Sequence, residues 1–272
     1  MKLDQLLRRP YQPSERRFQE GMRYACATAA AITPFVLDVF PARSVIDVGC
    51  GAGVLLAAFA ERGVERIVGV DGDYTNRARL QFDPKHFVAC DLNQPLGPLG
   101  LGRFDLALSV EVGEHLLPAR ADSLVDDLCA LADVVLYGAA IVNQGGINHI
   151  NEQWQSYWAR KFLSRDYIPY DILRPVIWNT PDVPYWYKQN TLFYVKRGSP
   201  SHEHFENRFP GGAVTLLDMA MLDIVHPDLY SMHVEKKRGL RRLQKNVRRY
   251  VLQFTGQRVK RQAPISSQMK ES

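Results

Sequence analysis

Asp47-x-Gly49-x-Gly51-x-Gly53 carries the clearest chemical content in this chain. Three glycines at alternate positions after an apolar run let the backbone turn sharply and let a small molecule approach it closely. A phosphate-binding loop needs GxxxxGK[ST], and no Lys-Ser or Lys-Thr follows these glycines. A dinucleotide loop needs GxGxxG or GxGxxA. Gly49 and Gly51 fit that pattern, but Val54 stands at its third position and is too large for close helix–strand packing. An acid at the end of a strand suits a cationic amine, whereas a pyrophosphate site would reject it. The turn therefore predicts a positively charged ligand.

More acids follow apolar runs downstream: Asp71 in "IVGVDGD", Asp91 in "FVACDL", and Glu111 and Glu114 in "FDLALSVEVGEHL". Each has a structural alternative when taken alone. Asp71 or Asp73 reads equally as a helix N-cap, and Asp91 reads as the cap of a turn with Asn93 and Pro95. Together with the glycine turn, these motifs resemble the class I S-adenosylmethionine-dependent methyltransferases. Within that class they resemble the small-molecule branch (types 11 and 23), which includes ubiquinone-biosynthesis-type and sugar-modifying enzymes. The resemblance spans about residues 40–140, loosens towards Arg197 and stops there.

It implies S-adenosyl-L-methionine as cofactor, with Asp47, Gly49, Cys50, Gly51 and Gly53 around the methionine part. It also implies Asp71 and Gly72 at the ribose, whose vicinal hydroxyls a carboxylate can accept bidentately. Asp91 and Leu92 then meet the adenine. Glu111 and Glu114 orient the cofactor or cap the next segment rather than form an acid/base pair.

A sulfonium methyl is already activated, so the protein's task is to align the acceptor and exclude water. A hydroxyl acceptor gains from a positioned base, and histidine suits that work near neutral pH. His115 follows the fourth predicted strand. His149 lies in the glycine loop "NQGGINHINEQWQSYW", with Glu152 and Gln153 beside it and Trp154, Tyr157 and Trp158 predicted to wall the acceptor pocket. His115 reads equally as a residue that shapes the cofactor pocket without moving a proton. "SHEHFE" (His202, Glu203, His204, Glu206) reads as a solvated loop, and no metal site is expected.

No Asn/Asp-Pro-Pro-Tyr/Phe element follows the fourth strand, which disfavours a nucleic-acid base as acceptor. The expected acceptor is a hydroxyl of a sugar, a glycan or another polar small molecule. Two rivals remain: N-methylation of a small amine or an RNA base, and a non-catalytic binding module acting through the C-terminal tail.

The elements that must position these residues are legible as repeated strand–helix units. Strands are predicted at 44–48, 66–71, 86–90, 104–110 and 133–137, and helices at 14–33, 54–62, 73–82 and 119–131. The strands are strongly apolar runs, which indicates a parallel sheet covered on both faces. "NTLFYVKR" (190–197) reads as a final antiparallel strand at the sheet's end. With these elements, the resemblance implies a Rossmann-like, doubly wound, seven-stranded, mostly parallel sheet with an aromatic-rich cap over residues 143–188, where all four tryptophans lie. The predicted divisions are 1–198, an extension at 199–235 that packs on the body, and a basic tail at 236–272.

Of the 272 residues, 46% are hydrophobic, ample for one α/β domain. Four scattered cysteines (Cys26, Cys50, Cys90, Cys129) without a CxxC pair fit a reducing cytoplasm. Lys2, Arg8, Arg9, Arg16 and Arg17 break every N-terminal apolar run, so no signal-peptide pattern is expected. The net charge of +5 divides unevenly, because residues 236–272 carry twelve Lys/Arg and one acid while the rest is net acidic. Leu240, Leu243, Val247, Tyr250, Val251 and Phe254 recur at helical spacing among those cations, with Gly256 as a stop. This basic amphipathic helix is expected to dock on the acidic body. An anionic membrane at the cytoplasmic face (via 236–261) is the next reading, nucleic acid comes third, and residues after Lys260 are read as disordered. The oligomeric state is left open.

Overall fold

A computed structural model describes residues 14–215 and 218–255. They divide between two compact units, one reaching His226 and one beginning at Pro227. In the first unit α1 (Glu15–Val39) is followed by β1 (Ser44–Val48), α2 (Val54–Glu61), β2 (Arg66–Asp71), β3 (Phe87–Ala89) and β4 (Phe104–Val110). Then come α3 (Ala121–Leu131), β5 (Ala132–Gly138), α4 (Gln155–Leu163), β6 (Tyr167–Tyr170), α5 (Arg174–Ile177), α6 (Tyr185–Asn190), β7 (Leu192–Lys196) and α7 (Pro200–Arg208). The seven strands form one sheet in the order β3-β2-β1-β4-β5-β7-β6. β1 to β5 pair in parallel, and β7 runs antiparallel between β5 and β6.

Strand alternation explains the two cores. Val45 and Leu106 face α1 and α2, packing with Ile32, Val36, Leu56 and Phe59. Ile46 and Ala107 face the other way, towards Leu124, Leu128, Trp158 and Phe162 on α3 and α4. Each wholly buried Val, Leu or Ile contributes about 1.5–3 kcal/mol. Because both faces are covered, the strands carry no polar face and read as continuous apolar runs.

Several expectations change. Residues 73–82 hold no α-helix, only a 3-10 turn at Arg77–Arg79. Asn76 Oδ1 accepts from Ala78 N–H at 3.0 Å, so a side chain competes with the helical ladder. α1 continues to Val39 through Pro34. β7 is antiparallel as expected but is not the edge. The edge is β6, which comes from inside the 143–188 segment, so that segment is partly sheet and core: Tyr167 and Tyr170 are buried. Arg174, also buried, grips Asp171 through Nε and Nη2 (2.7 and 2.5 Å) and the Gln189 and Leu222 carbonyls through Nη1 (3.1 and 2.8 Å). "SHEHFE" lies in α7 rather than a loop, with His204 Nε2 on the Val39 carbonyl at 2.7 Å.

The second unit is one helix, α8 (Pro227–Thr255), which begins well before the predicted boundary at 236. Leu240, Leu243 and Val247 are exposed on it. Gly256 and the tail after Lys260 lie outside the described residues. No helix among the described residues is long and apolar enough to cross a membrane.

Candidate active site

The glycine turn after β1 forms the floor of a cavity of about 350 Å³, a size suited to a small ligand. Gly49, Gly51 and Gly53 all have positive φ (+89°, +54°, +73°). A Cβ on Gly49 would lie 2.2 Å from Val112 Cγ2, and one on Gly53 would lie 2.1 Å from the Phe82 ring, whereas a Cβ on Gly51 would meet nothing within 4 Å. Gly49 and Gly53 are therefore demanded by packing, and Gly51 opens onto the cavity. Asp47 and Cys50 also line it. Asp47 is buried and accepts no hydrogen bond among the described residues. Burial first, and the nearby Asp71 charge second, push its carboxyl up to about 8. Burial likewise raises the Cys50 thiol.

Asp71 sits at the tip of β2, 20 residues past Gly51, and the parallel pairing of β1 with β2 brings the two together. Its Oδ2 accepts from Gly51 N–H at 2.7 Å and its Oδ1 from Gly72 N–H at 2.6 Å. An ionised carboxylate has about four acceptor positions, so capacity for a diol remains. Tyr74 covers Gly72, where a Cβ would lie 2.0 Å from the ring, and its hydroxyl lies against Asp71. Asp91 is exposed, and its Oδ1 accepts from Asn93 N–H at 3.0 Å, the turn-capping geometry. Leu92 is buried in the hydrophobic core.

β4 ends at Val110, and Glu111 follows with φ +58°, a conformation rare outside glycine. That turn aims its carboxylate into the cavity wall. There Oε1 accepts from Asn190 Nδ2 (2.9 Å) and Oε2 from Gln144 Nε2 (3.2 Å). Burial raises Glu111 to about 7, against these two bonds. Glu114 is wholly buried and neither carboxyl oxygen has a well-formed partner among the described residues. Glu111's carboxyl and the Ala140 backbone lie nearby, and burial followed by the Glu111 charge raises it well above the carboxylate range.

His115 and His149 meet edge-to-face with ring centroids 4.8 Å apart. Ile150 and Asn151 N–H both donate to the Glu114 carbonyl (2.9 and 3.0 Å), which ties the His149 loop to the turn bearing Glu114 and His115. His149 Nδ1 lies 3.0 Å from Glu152 Oε1, which also accepts from Gly145 N–H at 2.7 Å. Burial, then the charge of His149, lowers His115 to about 4.

The remaining predicted residues separate. Gln153 Nε2 donates to Asn151 Oδ1 at 3.1 Å. Trp154 is exposed and Tyr157 is half-buried. Trp158, at 2% exposure, packs on Tyr137 at 5.1 Å and is core rather than an open wall. The reason is the helical period: Gln155, Trp158, Ala159 and Phe162 share the buried face of α4. Sequence reasoning missed one whole cavity wall, formed by Arg17, Phe18, Met22 and Ala25 of α1 with Tyr187 of α6. It also missed Gln144 and Asn190, which hold Glu111. Only the 3.6-residue apolar period of α1 hinted at any of this.

The residues present fit a cationic, ribose-bearing ligand: an unpartnered acid over an open glycine turn, with a second acid at the adjacent strand tip. Residues 46–129 match the family model described as a methyltransferase domain. No curated protein matches the chain. Among solved structures, magnesium protoporphyrin IX methyltransferase from Synechocystis PCC 6803 with bound SAH is 15% identical over 71% of this chain and 92% of its own, with TM-score 0.48. Human N-acetylserotonin methyltransferase in complex with SAM is 15% identical over 68% of this chain and 60% of its own, with TM-score 0.42. An O-methyltransferase family protein from Burkholderia thailandensis is 18% identical over 73% and 68%, with TM-score 0.45.

Proposed function

From the premise that this chain is a class I methyltransferase using S-adenosylmethionine, we propose that it methylates a hydroxyl oxygen of a polar small molecule of the sugar class. One observation carries the reading: a histidine pair, oriented by a carboxylate, stands beside the cavity-lining Glu111 through Glu114. S-adenosylmethionine supplies a methyl already activated on a cationic sulfur, so the donor needs no acid. Asp47 would meet the cationic amine and give up its proton as that charge arrives. Asp71 would offer its free lone pairs to the ribose hydroxyls. Tyr187 and α1 form one wall of the cavity. With Nδ1 donating to Glu152, His149 keeps its Nε2 lone pair for the acceptor's proton. Trp154, exposed beside the His149 loop, would offer a flat face with a polar edge, the surface a sugar ring stacks on.

The test is transfer of isotopically labelled methyl to panels of hydroxylated and amine acceptors. His149→Ala should lower hydroxyl methylation about 10²–10⁴-fold. Amine methylation undiminished by that change, with no hydroxyl product, would refute the reading.

We also assign α8 to an anionic membrane surface, since Lys236, Lys237, Arg238, Arg241, Arg242 and Lys245 interleave with the exposed Leu240, Leu243 and Val247. Vesicle co-sedimentation should rise with anionic lipid content. Binding indifferent to lipid charge would overturn the assignment.

A further inference from the structure

We infer that Glu114, His115 and His149 form a binding site for one divalent transition-metal cation of the zinc type. Each residue offers one ligand atom, and the three atoms lie within 4.8 Å of one another. Two ligands at about 2.1 Å from a tetrahedral cation stand ~3.4 Å apart. Small side-chain rotations therefore close the widest gap.

Four independent features favour a cation there. Glu114 is wholly buried, neither of its oxygens has a well-formed partner, and no Lys or Arg among the described residues pairs with it. Its ionised form has no protein counter-charge, which a cation would supply. The ligands sit on two segments already tied by the Ile150 and Asn151 bonds to Glu114 O and by Asn151 Nδ2 on Gly113 O at 3.2 Å. Both imidazoles also carry outer partners: Glu152 Oε1 at His149 Nδ1, and the Asn148 backbone at His115. Such partners fix the tautomer of a metal-bound histidine and leave its other nitrogen free for the metal. Finally, two imidazoles with one carboxylate select zinc, manganese, iron or cobalt over magnesium or calcium, which take oxygen ligands.

His115 keeps part of its surface open to solvent, so three protein ligands would leave a coordination position facing solvent. That position suits an oxygen ligand. This last step rests on the O-methylation reading: metal-free, His149 would take the acceptor's proton; metal-loaded, it would be a ligand, the cation would polarise the hydroxyl, and the proton would leave to solvent at the open position.

The test uses the full chain after chelator treatment, titrated with Co²⁺ and followed by visible absorption, with Zn²⁺ competition measured by calorimetry. One cation per chain is expected. His149→Ala and Glu114→Gln should each abolish the Co²⁺ spectrum, with circular dichroism reporting that each variant folds. Glu152→Gln should weaken affinity about 10–100-fold. If Glu114→Gln does not fold, His115→Ala, changed on the solvent side, takes its place. The absence of stoichiometric binding, or binding that survives both His149→Ala and His115→Ala, overturns the site. Metal binding in a protein that methylates only amines keeps the site and refutes O-methylation. Hydroxyl methylation by a protein that binds no cation does the reverse.

Discussion

Asp47 should make cofactor binding depend steeply on pH. Its carboxyl, raised to about 8, is roughly nine-tenths protonated at pH 7 in the free protein. The cationic amine of S-adenosylmethionine favours the carboxylate and returns Asp47 towards the ordinary value of about 4. Binding at pH 7 should therefore release about 0.9 proton. Between pH 5.5 and 7 the apparent Kd should fall about 30-fold, from the ratio of protonated to ionised Asp47 at each end. The window stops at 7 so that the ligand's own ammonium, with a pKa near 8, stays charged. Calorimetry in buffers of different ionisation enthalpy measures the released proton directly. Asp47→Asn should weaken binding and remove most of the slope, leaving the shallower component from Glu111, which burial raises to about 7. A wild-type Kd flat across this range, with heats independent of buffer, would refute the argument.

The same group sets a stability trend without ligand. Its folded pKa lies above its unfolded value, so the stability it lends is complete below about pH 4 and is lost as pH rises towards 8. The Tm of the wild type should fall relative to Asp47→Asn across that window, and parallel profiles would count against a raised Asp47. Gly49→Ala should cost about 2–5 kcal/mol in denaturant unfolding, since its Cβ meets Val112 at 2.2 Å in a left-handed conformation. Trp158→Ala should cost about 3–5 kcal/mol, whereas Trp154→Ala at its exposed site should shift the midpoint little; equal effects would contradict the packing. Arg174→Ala should cost about 3–5 kcal/mol by removing a buried side chain and the cation that pairs Asp171, while the Gln189 and Leu222 carbonyls keep Gln155 Nε2 and Ile224 N–H, and Asp171→Asn added to it should recover part of that loss.

What the sequence alone determined is what local chemistry encodes. Ser44–Val48, Arg66–Asp71 and Phe104–Val110 are strands over those same residues, because segments buried on both faces read as near-continuous apolar runs with polar residues at their ends or at functional positions. The glycine turn and the acids at Asp47 and Asp71 were legible because close backbone approach and strand-tip charge each restrict residue type. Where side-chain hydrogen bonds compete with the helical ladder, as at Asn76, pattern reading went astray.

The tertiary structure decided what depends on pairs distant in the chain. Only folding places α1 and Tyr187 over the glycine turn, or Asn190 against Glu111, 79 residues earlier. Trp154, Tyr157 and Trp158 look alike in the sequence, yet the helical period turns the last into the core and leaves the first exposed. β6 reads as part of a cap because four residues of "YIPY" carry no alternation, and only its pairing with β7 makes it the sheet's edge. Local propensity acts over one turn or one strand, whereas a site is assembled by burial across the whole sheet. Residue types were therefore visible in advance, and their neighbours were not.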